Sequence, residues 1–337
     1  MKKQFYQISL KNKFMRDSSL PLVVKSFAKL NLYLQVLNKR KDDFHNLSTL
    51  FARIDLADTI IFSQRKDSLI KIRCASRQVP KDKTNLCYRA AALLKQEFKL
   101  SSGIEIEIKK CIPVGAGLGG GSANAASVLL ELNKFWKLNL PITRLVELGA
   151  KLGSDVPFFI YNTKFALGSG RGDKIKPVAS LSKLKLWFIL VCPKIKVSTP
   201  MIYRKLDTCL PAGQAFSGAS LPLEQTQTSK KRDRKQGVGL TRLRCNVRIL
   251  VSEFLKKGKA AKADCFFNGL EAVTRNLYPV VNQVKNALSG MGLEKIMMSG
   301  SGPAVFGICA DRKQAQDLKN KLAKRDKSWQ VFVVSTV

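Results

Sequence analysis

Residues 113–133, PVGAGLGGGSANAASVLLELN, constrain this chain more than any other segment. Six of the eight residues 115–122 are glycine or serine, and Leu118 is the one bulky side chain among them. Glycine loses more conformational freedom on folding than any other residue, so such a run is destabilising unless backbone must come close to something. The apolar residues of 122–135 then recur with helical period. A glycine-rich loop opening into a helix aims backbone N–H groups and the positive end of the helix at one place, a seat for phosphate oxygens.

Two common phosphate loops fail here. Gly115, Gly117 and Gly120 satisfy G-x-G-x-x-G, but a dinucleotide site wants an acid about 20 residues on to hold a ribose. Positions 137–142 read KLNLPI and supply none. A Walker A loop ends in Gly-Lys-Ser/Thr, whereas Gly120 is followed by Gly121 and Ser122.

Around this loop the pattern alternates between strand and helix. Residues 22–37, 50–62 and 103–114 read as strands, and 143–152 as a short helix with Gly153 placed as a C′ glycine. Beyond Pro177, LKLWFILVCP is a strand, and KIMMSGSGPAVFGICA is strand, glycine turn, strand. RKQAQDLKNKLAKR is a polar-faced helix and WQVFVVS a last strand. This order predicts an α+β chain with helices on antiparallel sheet, and 337 residues suffice for two modest domains. Residues 1–22 form a basic leader expected to be disordered. Residues 206–244, with five basic residues in 230–235, are expected to be a mobile polar insertion.

Lys+Arg is 59 against Asp+Glu 24, a net charge of +35, yet the basic residues are spread along the whole chain. That charge favours anions generally and gives no reason to expect a specific nucleic-acid partner. No apolar run approaches the roughly 18 residues of a membrane span. The eight cysteines form no C-x-x-C pair and His45 is the single histidine, so zinc sets cannot be assembled. Thiols in apolar runs suit a reducing, cytoplasmic setting; organelle import by the leader is the alternative.

The loop P-x-G-A-G-L-G-G-G-S-A resembles the phosphate-binding motif of the GHMP kinases. SFAKLNLYLQV (26–36) and MMSGSGPAVFGI (297–308) resemble the family's N-terminal strand motif and C-terminal glycine motif. Within that superfamily, AKLNL (28–32), RKDDFH (40–45), GSDVPFF (153–159) and NGLE (268–271) are similar to the signature of the 4-diphosphocytidyl-2-C-methyl-D-erythritol kinases. Asp43 stands where the signature has Gly, Phe44 where it has Tyr, and Gly269 where it has Asp.

The resemblance implies a two-domain α+β fold. An ATP-binding domain at 23–175 would share its topology with ribosomal protein S5 domain 2, and a ferredoxin-like domain would occupy 176–337. It implies ATP with Mg²⁺ and phosphorylation of the C2 hydroxyl of the cytidyl substrate, in non-mevalonate isoprenoid synthesis. A kinase acting on an alcohol needs a base for the hydroxyl proton and a cation for the growing charge. Lys29 and Asp155 match that pair; without the motifs they read equally as a structural ion pair, or Asp155 as a turn cap. Pro113, Gly115, Ala116, Gly117, Leu118, Gly119, Gly120, Gly121, Ser122 and Ala123 would surround the phosphates, with Asn85 and Lys110 near the adenine. Ser122 reads as a helix cap or an Mg²⁺ ligand. Asn31, Thr199, Ser299, Gly300, Ser301 and Gly302 would hold the acceptor, with Phe44 and Tyr203 against its base and His45 at the base edge. A homoserine or mevalonate kinase is the neighbouring alternative, and an RNA-binding protein on the same N-terminal topology the distant one. A homodimer is an open expectation.

Overall fold

The computed structural model describes residues 21–209 and 246–337. The leader up to residue 20 and residues 210–244 of the expected insertion lie outside these. In the first half, strands β1 (Leu22–Lys39), β2 (His45–Arg65) and β3 (Ile70–Cys74) precede helix α1 (Leu86–Glu97) and β4 (Gly103–Lys109). Helices α2 (Gly120–Phe135), α3 (Ile142–Leu152) and α4 (Val156–Ile160) follow, then β5 (Phe165–Ser169) and β6 (Lys174–Pro177). The second half runs β7 (Trp187–Pro193), α5 (Thr199–Cys209), α6 (Val247–Lys257), β8 (Phe267–Asn268), α7 (Glu271–Leu277), α8 (Val280–Ser289), β9 (Ile296–Met298), β10 (Val305–Cys309), α9 (Arg312–Arg325) and β11 (Trp329–Ser335).

The first sheet has the order β3-β4-β2-β1-β8, with β5 pairing β2 and β6. The long β2 serves two neighbours along one edge, β5 at Thr49–Ala52 and β4 at Thr59–Arg65, while β1 lies antiparallel on the other edge. The second sheet is antiparallel in the order β11-β7-β10-β9. Numbering those strands by their own sequence gives 4-1-3-2, the ferredoxin-like arrangement. Strand β6, which straddles the expected division at 175, belongs to the first sheet through Pro177. The short β8, far along the chain, returns to pair with β1 in that sheet.

Strand β1 is buried without interruption from Ala28 to Leu34 because both its faces are covered. One face packs against α2; the other contributes Ala28, Leu30 and Leu32 to a core shared with Phe188 and Phe306 of the second sheet. The two-residue period puts Lys29 and Asn31 together on one face. Both sit just before a register shift between Asn31 and Tyr33.

Two expectations fail at element ends. Gly153 does close α3, its N–H donating to the Gly149 carbonyl, but its φ of 176° is extended rather than left-handed. The expected insertion starts too early at 206, since residues 206–209 are the last turn of α5 and Leu206 is fully buried. No described helix is long and apolar enough to cross a membrane.

Candidate active site

The glycine loop between β4 and α2 is shaped by three left-handed residues, Gly115, Gly117 and Gly119, with φ of 71°, 76° and 69°. At Gly117 the requirement is doubled, because a Cβ there would lie 2.1 Å from the Ser299 carbonyl oxygen. The loop is held from both domains. Lys29 N–H donates to Leu118 O at 3.0 Å, Ala304 N–H to Ala116 O at 3.2 Å, and Ser299 Oγ to Gly117 O at 3.1 Å. The N-cap of α2 is Gly119, with no side-chain cap, so the first N–H groups of the helix keep their polarity for a ligand. Ser122 therefore does not cap the helix; it lies within the first turn and lines the adjoining cleft.

That cleft, about 1030 Å³, is lined by the loop, the start of α2, Lys29, Asn31 and Asp155, and by Phe44, His45 and Tyr203. Lys29 is 3% exposed, a costly place for an ammonium without partners. It has two: Asn31 Oδ1 at 2.6 Å and Asp155 Oδ2 at 3.5 Å. Asp155 occupies the N-cap position of α4 but makes no side-chain cap bond, and its side chain is 31% exposed. The carboxylate thus faces the cleft and Lys29, uncommitted to the helix behind it.

Asn31 is oriented by a chain of donors. An ammonium only donates, so Asn31 turns Oδ1 to Lys29 and Nδ2 to Thr49 Oγ1 at 2.9 Å, while the Thr49 hydroxyl donates to Tyr33 O at 2.6 Å. Thr49→Val should lower stability by about 1–3 kcal/mol by leaving Asn31 Nδ2 without its acceptor. The freed amide should also reduce kcat more than it changes the KM for ATP. Thermal unfolding and steady-state kinetics of the variant check both effects.

The expected nucleotide contacts divide. Lys110 Nζ lies 2.5 Å from Asp58 Oδ2, and Asp58 Oδ1 accepts from the N–H groups of Cys111 and Ile112 at 2.8 and 2.9 Å. This buried carboxylate holds Lys110 beside the start of α2, where a Cβ on Gly120 would come 3.1 Å from Nζ. Asn85 lines the cleft, but its side chain caps α1 by accepting from Cys87 N–H and donates to Pro80 O. One Nδ2 hydrogen is left for a ligand. Cys87 also borders the cleft, but burial pushes its thiol up to about 12, which keeps it protonated and unreactive.

At the opposite wall, Thr199 and Ser301 join through their hydroxyls at 2.7 Å, and both line the cleft with Gly300. Ser299, Gly302 and Ala123 do not line it. Ser299 is buried beneath the loop with its hydroxyl on Gly117 O, Gly302 packs against Met298, and Ala123 is buried in the core under α1 and α2. These three support the site from behind. The turn is gripped by Asn268, whose Nδ2 donates to Met298 O and Gly300 O at 2.7 and 2.8 Å, and by Glu271, which accepts from Met298 N–H at 2.9 Å.

Curated relatives extend along nearly all of this architecture. A 4-diphosphocytidyl-2-C-methyl-D-erythritol kinase from a Geobacillus species is 39% identical, covering 93% of this chain and 96% of its own. The Bacillus velezensis kinase of that name is 36% identical, covering 89% and 92%. The chain belongs to the 4-diphosphocytidyl-2-C-methyl-D-erythritol kinase family. Within the kinase, the GHMP kinases N terminal domain matches residues 85–163 and the GHMP kinases C terminal domain residues 250–327. A solved 4-(cytidine 5'-diphospho)-2C-methyl-D-erythritol kinase superposes with a TM-score of 0.70 at 28% identity, covering 94% of this chain and all of its own. Homoserine kinase from Cytophaga hutchinsonii, at 18% identity and a TM-score of 0.62, shares the fold.

Two of the departures from the family signature now have places. Asp43, where the signature has glycine, adopts φ 61°, a left-handed conformation that glycine takes freely and an aspartate tolerates better than most. Phe44 is 48% exposed, so it is not a core residue, and the Arg171 guanidinium lies 4.9 Å from its ring centroid. Tyr203 stacks on His45 with centroids 5.1 Å apart, so the imidazole already takes one face of the phenol ring. Burial, with the Asp155 charge second, pushes the Tyr203 phenol well up and keeps it protonated.

Sequence reasoning missed Thr49, Asp58, Arg171 and Asp207. Arg171 carried a faint signal, a cation between two glycines; the other three carried none.

Proposed function

We propose that this kinase transfers the γ-phosphoryl group of ATP to the C2 hydroxyl of 4-diphosphocytidyl-2-C-methyl-D-erythritol. The observation that carries the reading is a single cleft lined at once by the uncapped start of α2, by Lys29 with Asp155, and by Phe44, His45 and Tyr203. The loop N–H groups and the helix end seat the ATP phosphates, with Lys110 alongside. Asp155 takes the acceptor hydroxyl proton as the oxygen attacks the γ-phosphorus. Lys29, held by Asn31, steadies the charge that develops on the transferred group.

Mg²⁺ fits the residues present as an ion carried mainly on phosphate oxygens. The Ser122 hydroxyl, free of any capping duty, is the side chain that would hold it, and the described residues hold no cluster of three or more metal-binding side chains. When bound, the ion neutralises phosphate charge. Five buried free thiols among the described residues suit a reducing compartment, in keeping with the cytoplasm.

At the other end of the substrate, Phe44 and Tyr203 supply stacking surface for cytosine and His45 a polar edge. Stacking is worth roughly 1–3 kcal/mol per ring, so Phe44→Ala should raise the KM for the cytidyl substrate about tenfold. Because Phe44 is half-exposed, its thermal midpoint and KM for ATP should stay near wild type. An unaltered KM for the cytidyl substrate would remove Phe44 from the site. The activity itself is tested by ADP release with purified protein and ATP. Release should depend on the cytidyl compound, and release with homoserine or mevalonate in its place would overturn the assignment.

A further inference from the structure

Asp207 lies one helical turn beyond Tyr203 on α5, so both side chains reach the same end of the cleft. Its two oxygens have separate partners. Oδ1 is 2.6 Å from His45 Nε2, and Oδ2 is 3.0 Å from Lys39 Nζ. A carboxylate engaged by an ammonium accepts hydrogen bonds and cannot donate one. The proton in the short contact therefore belongs to Nε2 of the imidazole. In the tautomer with its N–H on Nε2, the ring leaves Nδ1 as a lone-pair acceptor. Nδ1 makes no hydrogen bond among the described residues, and the ring plane is fixed against Tyr203 at an interplanar angle of 27°.

Cytosine and uracil have the same shape and stacking surface, and they differ at position 4. Cytosine has an amino group there, which donates; uracil has a carbonyl, which accepts. We infer that Asp207 sets the choice of base: by keeping the His45 proton on Nε2, it presents Nδ1 as an acceptor that suits the cytosine amino group and opposes the uracil carbonyl. Asp207 is thus a positioning residue acting through His45, and this inference rests on the cytidyl-substrate reading above. The energetic reason is that a donor-acceptor match is replaced, with the wrong base, by two lone pairs facing each other in a partly desolvated site.

The test is a double-mutant cycle on specificity, read as the ratio of kcat/KM for the cytidyl substrate to that for its uridyl analogue. Reading a ratio within each variant removes any general loss of activity. Asp207→Ala should lower the ratio by roughly five- to tenfold, the effect of one hydrogen bond, with the KM for ATP little changed. His45→Ala should lower it at least as far, and adding Asp207→Ala to His45→Ala should lower it no further. Because the chain has a single histidine, ¹⁵N NMR reads the tautomer directly: wild type should show a protonated Nε2 and a bare Nδ1, and Asp207→Ala a mixture. A ratio unchanged in Asp207→Ala, a further drop in the double variant, or a protonated Nδ1 in wild type each overturns the inference. Those results leave the cytidyl substrate standing if wild type turns it over; a wild type inactive on the cytidyl compound removes both.

Discussion

Asp155→Asn is expected to fold with a thermal midpoint close to wild type and to lose roughly 10²–10⁴ in kcat. The amide keeps the size and outline of the carboxylate but cannot take a proton. The acceptor is a tertiary alcohol, a poor nucleophile until its proton has somewhere to go. Little stability is at risk, because the side chain is 31% exposed, caps nothing, and meets Lys29 only at 3.5 Å. Lys29 is buried, but the carboxylate of the pair is within reach of solvent, which tempers the loss of its charge. Lys29 retains its shorter bond to Asn31 at 2.6 Å in the variant. Lys29→Met should likewise depress kcat more than ATP affinity. Near-wild-type turnover by both variants would contradict the catalytic roles.

Gly117→Ala should be the most damaging single methyl group in the loop. A left-handed conformation costs an alanine about 1–2 kcal/mol, and overpacking against fixed atoms typically adds about 1–3 kcal/mol. Here the atom met is a backbone carbonyl, Ser299 O at 2.1 Å, which cannot swing away as a side chain would. The loop must shift, and with it the N–H groups that seat phosphate. Expected together are a clearly lower thermal midpoint and a KM for ATP raised by an order of magnitude or more. Gly292 supplies a matched control: it has φ 84°, yet a Cβ there meets nothing within 4 Å. Gly292→Ala should show the backbone cost alone and leave the KM for ATP unchanged. Equal effects of the two substitutions on ATP binding would mean that the close approach at Gly117 is irrelevant.

The parts of this site visible in the sequence are those that a local pattern encodes. Glycines at 115, 117 and 119 announce a backbone conformation, and helical period after them fixes where α2 runs. Lys29 lies in the apolar run FAKLNLYL, where an ammonium needs a partner. The antiparallel second sheet was legible from four apolar runs and one glycine turn. Residues whose role arises from packing across the chain left no such trace. Asp207 meets His45 across 162 residues, and Asp58 meets Lys110 across 52. Asn85 and Ser122 show the converse, since each sits beside a helix start and only the actual start shows which one caps. Ser299 and Gly302 belong to a motif that borders the cleft, yet the turn they form directs Gly300 and Ser301 forward and hides the other two.

The position of the new phosphate tests the central claim most directly. C2 of the methylerythritol unit carries the methyl group and no hydrogen, whereas C1 carries two and C3 one. With ATP and the cytidyl substrate, ³¹P NMR of the purified product should show a new phosphomonoester resonance without three-bond coupling to a carbinol proton. A new resonance split by one or two such protons would place the phosphate elsewhere, and no new phosphomonoester at all would contradict the account outright.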